Sequence, residues 1–302
     1  MRLPITGDTE PIGARRLSVL MDEDHSISIL SHEGTTAAEG LGRDHGSAAA
    51  LTEATLHTWL SQGLVVAAVI TMAVLFVVSA PYGRHTRSGW GPRIPQRLAW
   101  MVMESPAVVG FGAIYCLGSH RAALVPLLLL GLWQVHYIHR TFIYPFRSPS
   151  RGTPWPVTVV VLGFAFQTLN SYLNARWISH LGTYDASWML DARFSLGVAL
   201  FGFGFVLNLW SDGVLCRLRE PNDGGYRIPR GGAFEWVSCP NYLGEILEWI
   251  GWSIATWSLA GTAFALYTIA NLGPRARSHH RWYLDQFDDY PKQRKALVPY
   301  VW

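Results

Sequence analysis

Residues 193–215 read RFSLGVALFGFGFVLNLWSDGVL. A bilayer core about 30 Å thick takes roughly 20 apolar residues of α-helix, and this stretch meets that length. It also carries Asn208 and Asp212 near one end. Their spacing of four puts them on one helix face. A charge at membrane depth is costly and usually faces a bundle interior or a cavity. The stretch therefore reads as a membrane span with one functional end.

Its neighbours repeat the pattern. Apolar segments of span length run from Trp59 to Ala80, Leu98 to Leu117, Ala122 to Ile143 and Trp155 to Leu173. The first is too long for a signal-peptide core and follows a polar tail, so it is read as an uncleaved span. Tyr242 to Gly273 is long for one span and short for two. Ser258-Leu259-Ala260-Gly261 interrupts it, and two helices are expected there. The fold class is thus all-α, a polytopic bundle of seven transmembrane helices, with six as the alternative.

Charge supports the odd count. Arg84, Arg87, Arg93 and Arg97 fall between spans one and two, and Arg147 and Arg151 between three and four. Arg217, Arg219, Arg227 and Arg230 fall between five and six. Arg275, Arg277, Arg281, Lys292, Arg294 and Lys295 follow the last span, while the opposite side holds little beyond Arg121 and Arg176. Basic loops face the cytoplasm. The N-terminus is then outside and the C-terminus cytoplasmic.

Composition agrees. Charged residues are 15% of the chain, against about 25% in soluble proteins, and mean hydropathy is +0.17. Net charge is only +3, which disfavours nucleic acid as a partner. Cys116, Cys216 and Cys239 have no paired spacing, so neither a disulfide framework nor a metal site is expected. Residues 1–56 differ from the rest. Four Arg against nine acidic residues give them a net charge of −5, and they are read as a polar acidic tail, mostly disordered. Residues 57–302 form the membrane domain, with cofactor-binding loops on the cytoplasmic side.

The polar residues within the spans cluster on that side. They are Glu104; His136, Tyr137, His139 and Arg140; Asn208 and Asp212; Asn241, Glu245 and Glu248; and Arg275, His279 and Tyr283. A polar cavity opening to the cytoplasm follows. His139, His280 and Arg281 read equally well as interfacial anchors. Trp59, Trp133, Trp155 and Trp282, at span ends, are read as interface belts. Residues 217–232, RLREPNDGGYRIPRGG, join turn-forming residues to four Arg. Arg forks match phosphate, which suits an anionic dinucleotide. A GxGxxG fingerprint is missing, so a soluble dinucleotide fold is excluded. Gly197, Gly202 and Gly204 can pack helices within one chain or between two.

From about Leu98 to Trp302 the chain resembles the membrane steroid 5α-reductase family. The segments that carry the resemblance are 135–144 (VHYIHRTFIY), 208–212 (NLWSD), 226–232 (YRIPRGG), 241–249 (NYLGEILEW), 279–283 (HHRWY) and 289–300 (DYPKQRKALVPY). The resemblance implies a seven-span enzyme that reduces the Δ4 carbon–carbon double bond of a 3-oxo-steroid with NADPH. Glu104 and Tyr137 match the pair that contacts the steroid ketone. Asn208, Asp212, Arg219, Tyr226, Arg227, Asn241, Glu245, His279 and Tyr283 match NADPH-binding positions, with Arg275 a weaker match. Arg147 and Arg151 lie where the family places a phosphate-contacting loop, although the local sequence differs.

One departure stands out. Family members acting on mammalian androgens have Gln-Glu where this chain has Met103-Glu104, and Met cannot donate a hydrogen bond. Met103 is therefore expected at the substrate pocket with a shifted preference. The implied chemistry is hydride attack at the β carbon, with enolate charge at the ketone held by Tyr137 and a protonated Glu104. Partners expected are a steroid or other lipid-like enone and membrane lipids, with the chain able to act as a monomer. A bacterial inner membrane is favoured over endoplasmic reticulum. Alternatives are a related enoyl or polyprenol reductase, an S-adenosylmethionine-dependent isoprenylcysteine or phospholipid methyltransferase, and a sterol-binding protein without catalysis.

Overall fold

The computed structural model describes residues 18–21, 27–30, 37–78, 89–147, 154–218 and 226–302. Arg151 and Arg219, expected near the cofactor, lie outside these. The chain divides into two units, Met1–Glu53 and Ala54–Trp302. In the first, β1 (Ser18–Met21) pairs antiparallel with β2 (Ile27–Leu30), and helix α1 (Ala37–Val77) begins. β1, β2 and the first part of α1 lie in residues 1–56, and α1 continues into the second unit.

Among the described residues, the second unit is mostly helical, with one two-residue strand pair. That pair is β3 (Arg93–Ile94) with β4 (Trp155–Pro156). Six helical runs follow α1. The first is α2 (Gln96–Ser105), continuing through a π-turn at Pro106–Gly110 into α3 (Phe111–Cys116). The next is α4 (Leu124–Ile138), a π-turn at His139–Ile143 and α5 (Tyr144–Arg147). Then come α6 (Val157–Arg176), ending in a π-turn at Trp177–Leu181, and α7 (Ala192–Arg217). The last two are α8 (Pro240–Thr256) and α9 (Leu259–Gln286). Three stretches, Thr52–Val77, Gln96–Cys116 and Ala192–Arg217, are long and apolar enough to cross a membrane. The protein is thus a helical membrane protein.

Local chemistry explains the boundaries. The break expected at Ser258 sits one residue earlier, where Trp257 takes a left-handed conformation (φ 45°). Ser258 then caps α9 by accepting from Gly261 N at 2.9 Å, as N-cap serines do. Pro106 has no N–H to give the preceding turn. Ser105 Oγ fills the gap by donating to Val102 O at 2.9 Å. Through the π-turn that follows, side chains of neighbouring helices donate to the backbone. Ser171 Oγ reaches Pro106 O (3.0 Å), Trp133 Nε1 reaches Ala107 O (2.8 Å) and Gln134 Nε2 reaches Val108 O (3.1 Å). π-turns often mark functional sites, and this one begins two residues after Glu104.

Helices α7 and α8 touch backbone to backbone. A Cβ on Gly197 would stand 2.4 Å from Ala255 N, and one on Gly204 2.4 Å from Glu248 N. Gly244 and Gly251 face them in the same way. Gly202 has open space at its Cβ position. Of the three glycines read as packing residues, two therefore pack within the chain.

The core centres on Trp133, which is fully buried. Phe111 stacks on it with ring centroids 4.3 Å apart, and Tyr137, Trp249, Trp252 and Phe264 surround it. Trp133 and Trp155 are both buried, which corrects their reading as interface belts. An indole at a span end also packs inward when neighbouring helices offer it aromatic partners. Trp59, in contrast, is exposed.

Candidate active site

Glu104 on α2 and Tyr137 on α4 are both buried. The structure brings them together through Gln167 of α6. Gln167 Nε2 donates to Glu104 Oε2 at 2.5 Å, and the Tyr137 hydroxyl lies 3.4 Å from both Gln167 Oε1 and Nε2. Three helices thus converge on one carboxyl, one amide and one phenol. Met103, expected in the substrate pocket, packs against α6 at Gly163, where an added Cβ would meet its Cγ and Sδ at 2.4 and 2.5 Å.

A second cluster centres on Arg140, in the π-turn after α4. Its guanidinium lies 3.2 Å from Glu245 Oε2 and 3.5 Å from Asp212 Oδ2. It also lies over the rings of Trp100 and Tyr144, at 4.8 and 5.0 Å. Asp212 accepts from Asn241 Nδ2 at 3.0 Å, and Asn208 Nδ2 donates to Asn241 O at 2.9 Å. Four of the predicted cofactor residues, Asn208, Asp212, Asn241 and Glu245, are therefore one network. Trp100, one turn before Glu104 on α2, donates its indole N–H to Arg140 O at 2.9 Å, so the two clusters adjoin. Buried Thr141 Oγ1, Ser211 Oγ and His139 Nε2 have no hydrogen-bond partner among the described residues.

A third group lies on α8 and α9. Arg275 Nη2 donates to the Tyr242 hydroxyl at 3.1 Å, and His279 Nε2 is 3.1 Å from the same oxygen. Tyr283 falls elsewhere, stacked on Tyr290 at 5.2 Å. Tyr226 meets Trp282 edge-on at 4.7 Å, and Arg227 is exposed. Arg147 is exposed too, with its Nη2 3.9 Å from where a Cβ on Gly213 would stand.

The 226–238 segment is pinned from behind by residues that follow α9. Arg294, nearly fully buried, donates to Pro229 O at 2.8 Å and lies 3.6 Å from Glu235. Lys295 pairs with Val237 as a parallel bridge, with Ser238 N donating to Lys295 O at 2.8 Å. Ser238 Oγ is 2.6 Å from both His280 Nδ1 and the Tyr290 hydroxyl. Burial and nearby Lys295 lower the His280 pKa from its ordinary value.

Sequence reasoning did not single out Gln167, and it placed Arg140 and His136 in the polar cluster without a partner for either. Charge accounting could have paired Arg140, because Asp212 and Glu245 at membrane depth need a cation. Gln167 gave a weaker signal, one of three uncharged amides along α6.

Comparison with known proteins identifies the family. The family model described as 3-oxo-5-alpha-steroid 4-dehydrogenase matches residues 153–302. The chain is 47% identical over 240 residues to a protein named steroid 5-alpha-reductase DET2 from Arabidopsis thaliana, covering 77% of this chain and 91% of that one. It is 42% identical over 224 residues to 3-oxo-5-alpha-steroid 4-dehydrogenase 1 from Homo sapiens, covering 73% and 85%. It is 43% identical over 246 residues to the type 2 protein from Sus scrofa, covering 80% and 96%. These relatives are plant and animal proteins, and they give no support to the bacterial membrane expected above. The buried carboxyl–amide–phenol cluster, the Arg140 network beside it and this likeness along most of the chain converge: the chain belongs to the steroid 5α-reductase family and is an oxidoreductase acting on carbon–carbon bonds.

Proposed function

We propose that the protein reduces the Δ4 double bond of 3-oxo-steroids with NADPH, in a seven-span membrane domain whose active site opens to the cytoplasm. The observation that carries this is the buried Glu104–Gln167–Tyr137 cluster adjoining the Arg140 network. The relatives are named for that activity. Seven helical runs, with the basic residues gathered on alternate connections, support the topology. One chain supplies both clusters, which supports action as a monomer.

The residues present fit the cofactor. Asn208, Asn241, Arg275 and Arg227 offer amides and guanidiniums, the chemistry that binds ribose hydroxyls and phosphate. Thr141, Ser211 and His139 add buried polar atoms that the described chain does not pair. When bound, NADPH supplies the hydride. Arg140 neutralises Asp212 and Glu245 and so keeps the polar end from repelling an anionic ligand. Tyr137 donates its phenol proton toward the substrate ketone, and a protonated Glu104 donates beside it. Both donors are fixed before charge develops on that oxygen, which is when electrostatic stabilisation lowers the barrier.

The test is single-turnover oxidation of NADPH by the detergent-solubilised protein, with and without testosterone or progesterone, beside Tyr137→Phe. Steroid-dependent loss of NADPH absorbance with a 5α-reduced product is expected. NADPH binding without turnover would move the substrate elsewhere. Absence of NADPH binding would overturn the cofactor and favour S-adenosylmethionine.

A further inference from the structure

Behind the Glu104–Tyr137 pair, α6 carries Gln167, Asn170 and Asn174 at spacings of three and four, hence on one face. All three are buried. Trp252 of α8, also buried, donates its indole N–H to Asn174 Oδ1 at 2.8 Å. An indole N–H can only donate, so this bond decides which end of the Asn174 amide is oxygen. Asn174 Nδ2 then donates to Asn170 O at 3.1 Å and to Asn170 Oδ1 at 2.9 Å. With that oxygen occupied, Asn170 Nδ2 faces Gln167 Oε1 at 3.4 Å. The Gln167 NH₂ is left facing Glu104 Oε2 at 2.5 Å and the Tyr137 oxygen at 3.4 Å. Every donor in the series points the same way, from the indole toward the carboxyl.

We propose that this polarised amide ladder is the positioning device of the ketone-binding pair, with Gln167 as its working end. The inference rests on the function proposed above. A carboxyl and a phenol placed side by side in an apolar site bond to each other, and the two donors needed by a ketone are then spent. Gln167 lies between them and bonds to both. By holding Glu104 Oε2 it leaves Oε1 as the oxygen that carries the proton toward the substrate. Gln167 Nε2 and Oε1 both lie 3.4 Å from the phenol oxygen. With Oε1 taken by Asn170 Nδ2 and the N–H holding the phenol oxygen, the phenol proton is free for the ketone. Met103, next to Glu104, has no donor for this task, and the amide comes from α6 instead. Gln167 acts through Glu104 and Tyr137 and is a positioning residue.

The ladder predicts coupling over a distance. In rapid-mixing single turnovers with NADPH and testosterone, Gln167→Leu is expected to slow hydride transfer about 100-fold, comparable to loss of an oxyanion donor. Trp252→Phe, which keeps an aromatic ring but removes the indole N–H, is expected to slow it about tenfold. The double variant should be no slower than Gln167→Leu alone, because both changes cut one series. NADPH affinity, read by cofactor fluorescence, should stay within about twofold throughout. If Gln167→Leu does not accumulate as folded protein, Gln167→Asn replaces it. Its amide is one methylene too short to reach Glu104, and the same pattern is expected. Unchanged hydride transfer in the Gln167 variants would overturn the proposal. So would multiplying effects in the double variant, or a loss of NADPH affinity that matches the loss of rate. A wild type that oxidises no NADPH against steroid enones would instead count against the proposed function, and the inference would fall with it.

Discussion

His136 Nδ1 lies 2.7 Å from Glu248 Oε1, and both side chains are buried. The pair joins α4 to α8 one residue before Tyr137 and one before Trp249, so it fixes how both rings meet the core. Losing one partner strands the other without water. Glu248→Leu is expected to lower stability by about 1–3 kcal/mol, and Glu248→Gln, which keeps an oxygen at the bond, by clearly less. Thermal unfolding in detergent reads both. No loss from either variant would show that the pair contributes nothing.

Glu104→Leu and Tyr137→Phe each remove one donor to the ketone. Each is expected to slow hydride transfer by roughly 10²–10³ while steroid and NADPH still bind. Full turnover in both variants would remove these residues from the reaction.

Arg140 meets two carboxylates on two helices and lies over two rings. Lysine has one charged point where arginine has a planar fork. Arg140→Lys should therefore keep the charge and lose the geometry. We expect NADPH affinity to fall about tenfold, measured by cofactor fluorescence, a cost of about 1.4 kcal/mol. Unaltered affinity would mean that the fork is dispensable.

The α7–α8 contact yields a stability contrast within one helix. Gly204→Ala puts a Cβ against the α8 backbone at Glu248, whereas Gly202→Ala meets open space. The first should cost about 1–3 kcal/mol as overpacking. The second should be neutral or mildly stabilising, because alanine is the better helix former. Melting temperatures of the two variants compare them directly, and a tie would contradict the close packing.

Acid should loosen the segment after α9. The folded state holds the His280 pKa below its unfolded value, through burial and Lys295. The unfolded chain then binds more protons in the acidic range, and stability falls as pH drops through the unfolded histidine value of about 6.5. Limited proteolysis around residues 287–302 should quicken between about pH 7.5 and 5.5. His280→Gln should flatten that dependence. An equally steep profile in the variant would assign the effect to another group.

Much of this was legible from the order of residue types. Hydropathy marked helical segments near their observed positions, and three of the observed helices have the length and apolar character that lipid imposes. Asn208, Asp212, Asn241 and Glu245 could be grouped because polar residues in apolar runs need each other. Their centre, Arg140, was placed with the polar residues of the cytoplasmic side but without partners, because sequence does not show which helices meet at it. Gln167 was less accessible still. Its role depends on the rotation of α6 against α2 and α4, which a helix with little amphipathic contrast does not encode. The inward turn of Trp133 and Trp155 was hidden for a related reason, since aromatic residues serve both lipid interfaces and cores. Tyr283 shares a helical face with His279, but Tyr290 follows the helix end and draws its ring away.

The pinning of residues 226–238 by Arg294 and Lys295 also bears on biosynthesis. Both residues follow α9 in the chain, so every helical run is synthesised before they are. A nascent protein can then insert and pack its helices while this segment still lacks its brace. Inserted but inactive protein would accumulate wherever translation is interrupted or the chain is clipped between Gln286 and Arg294. For a membrane enzyme, abundance measured by helix content or by an N-terminal label would overstate the number of working molecules.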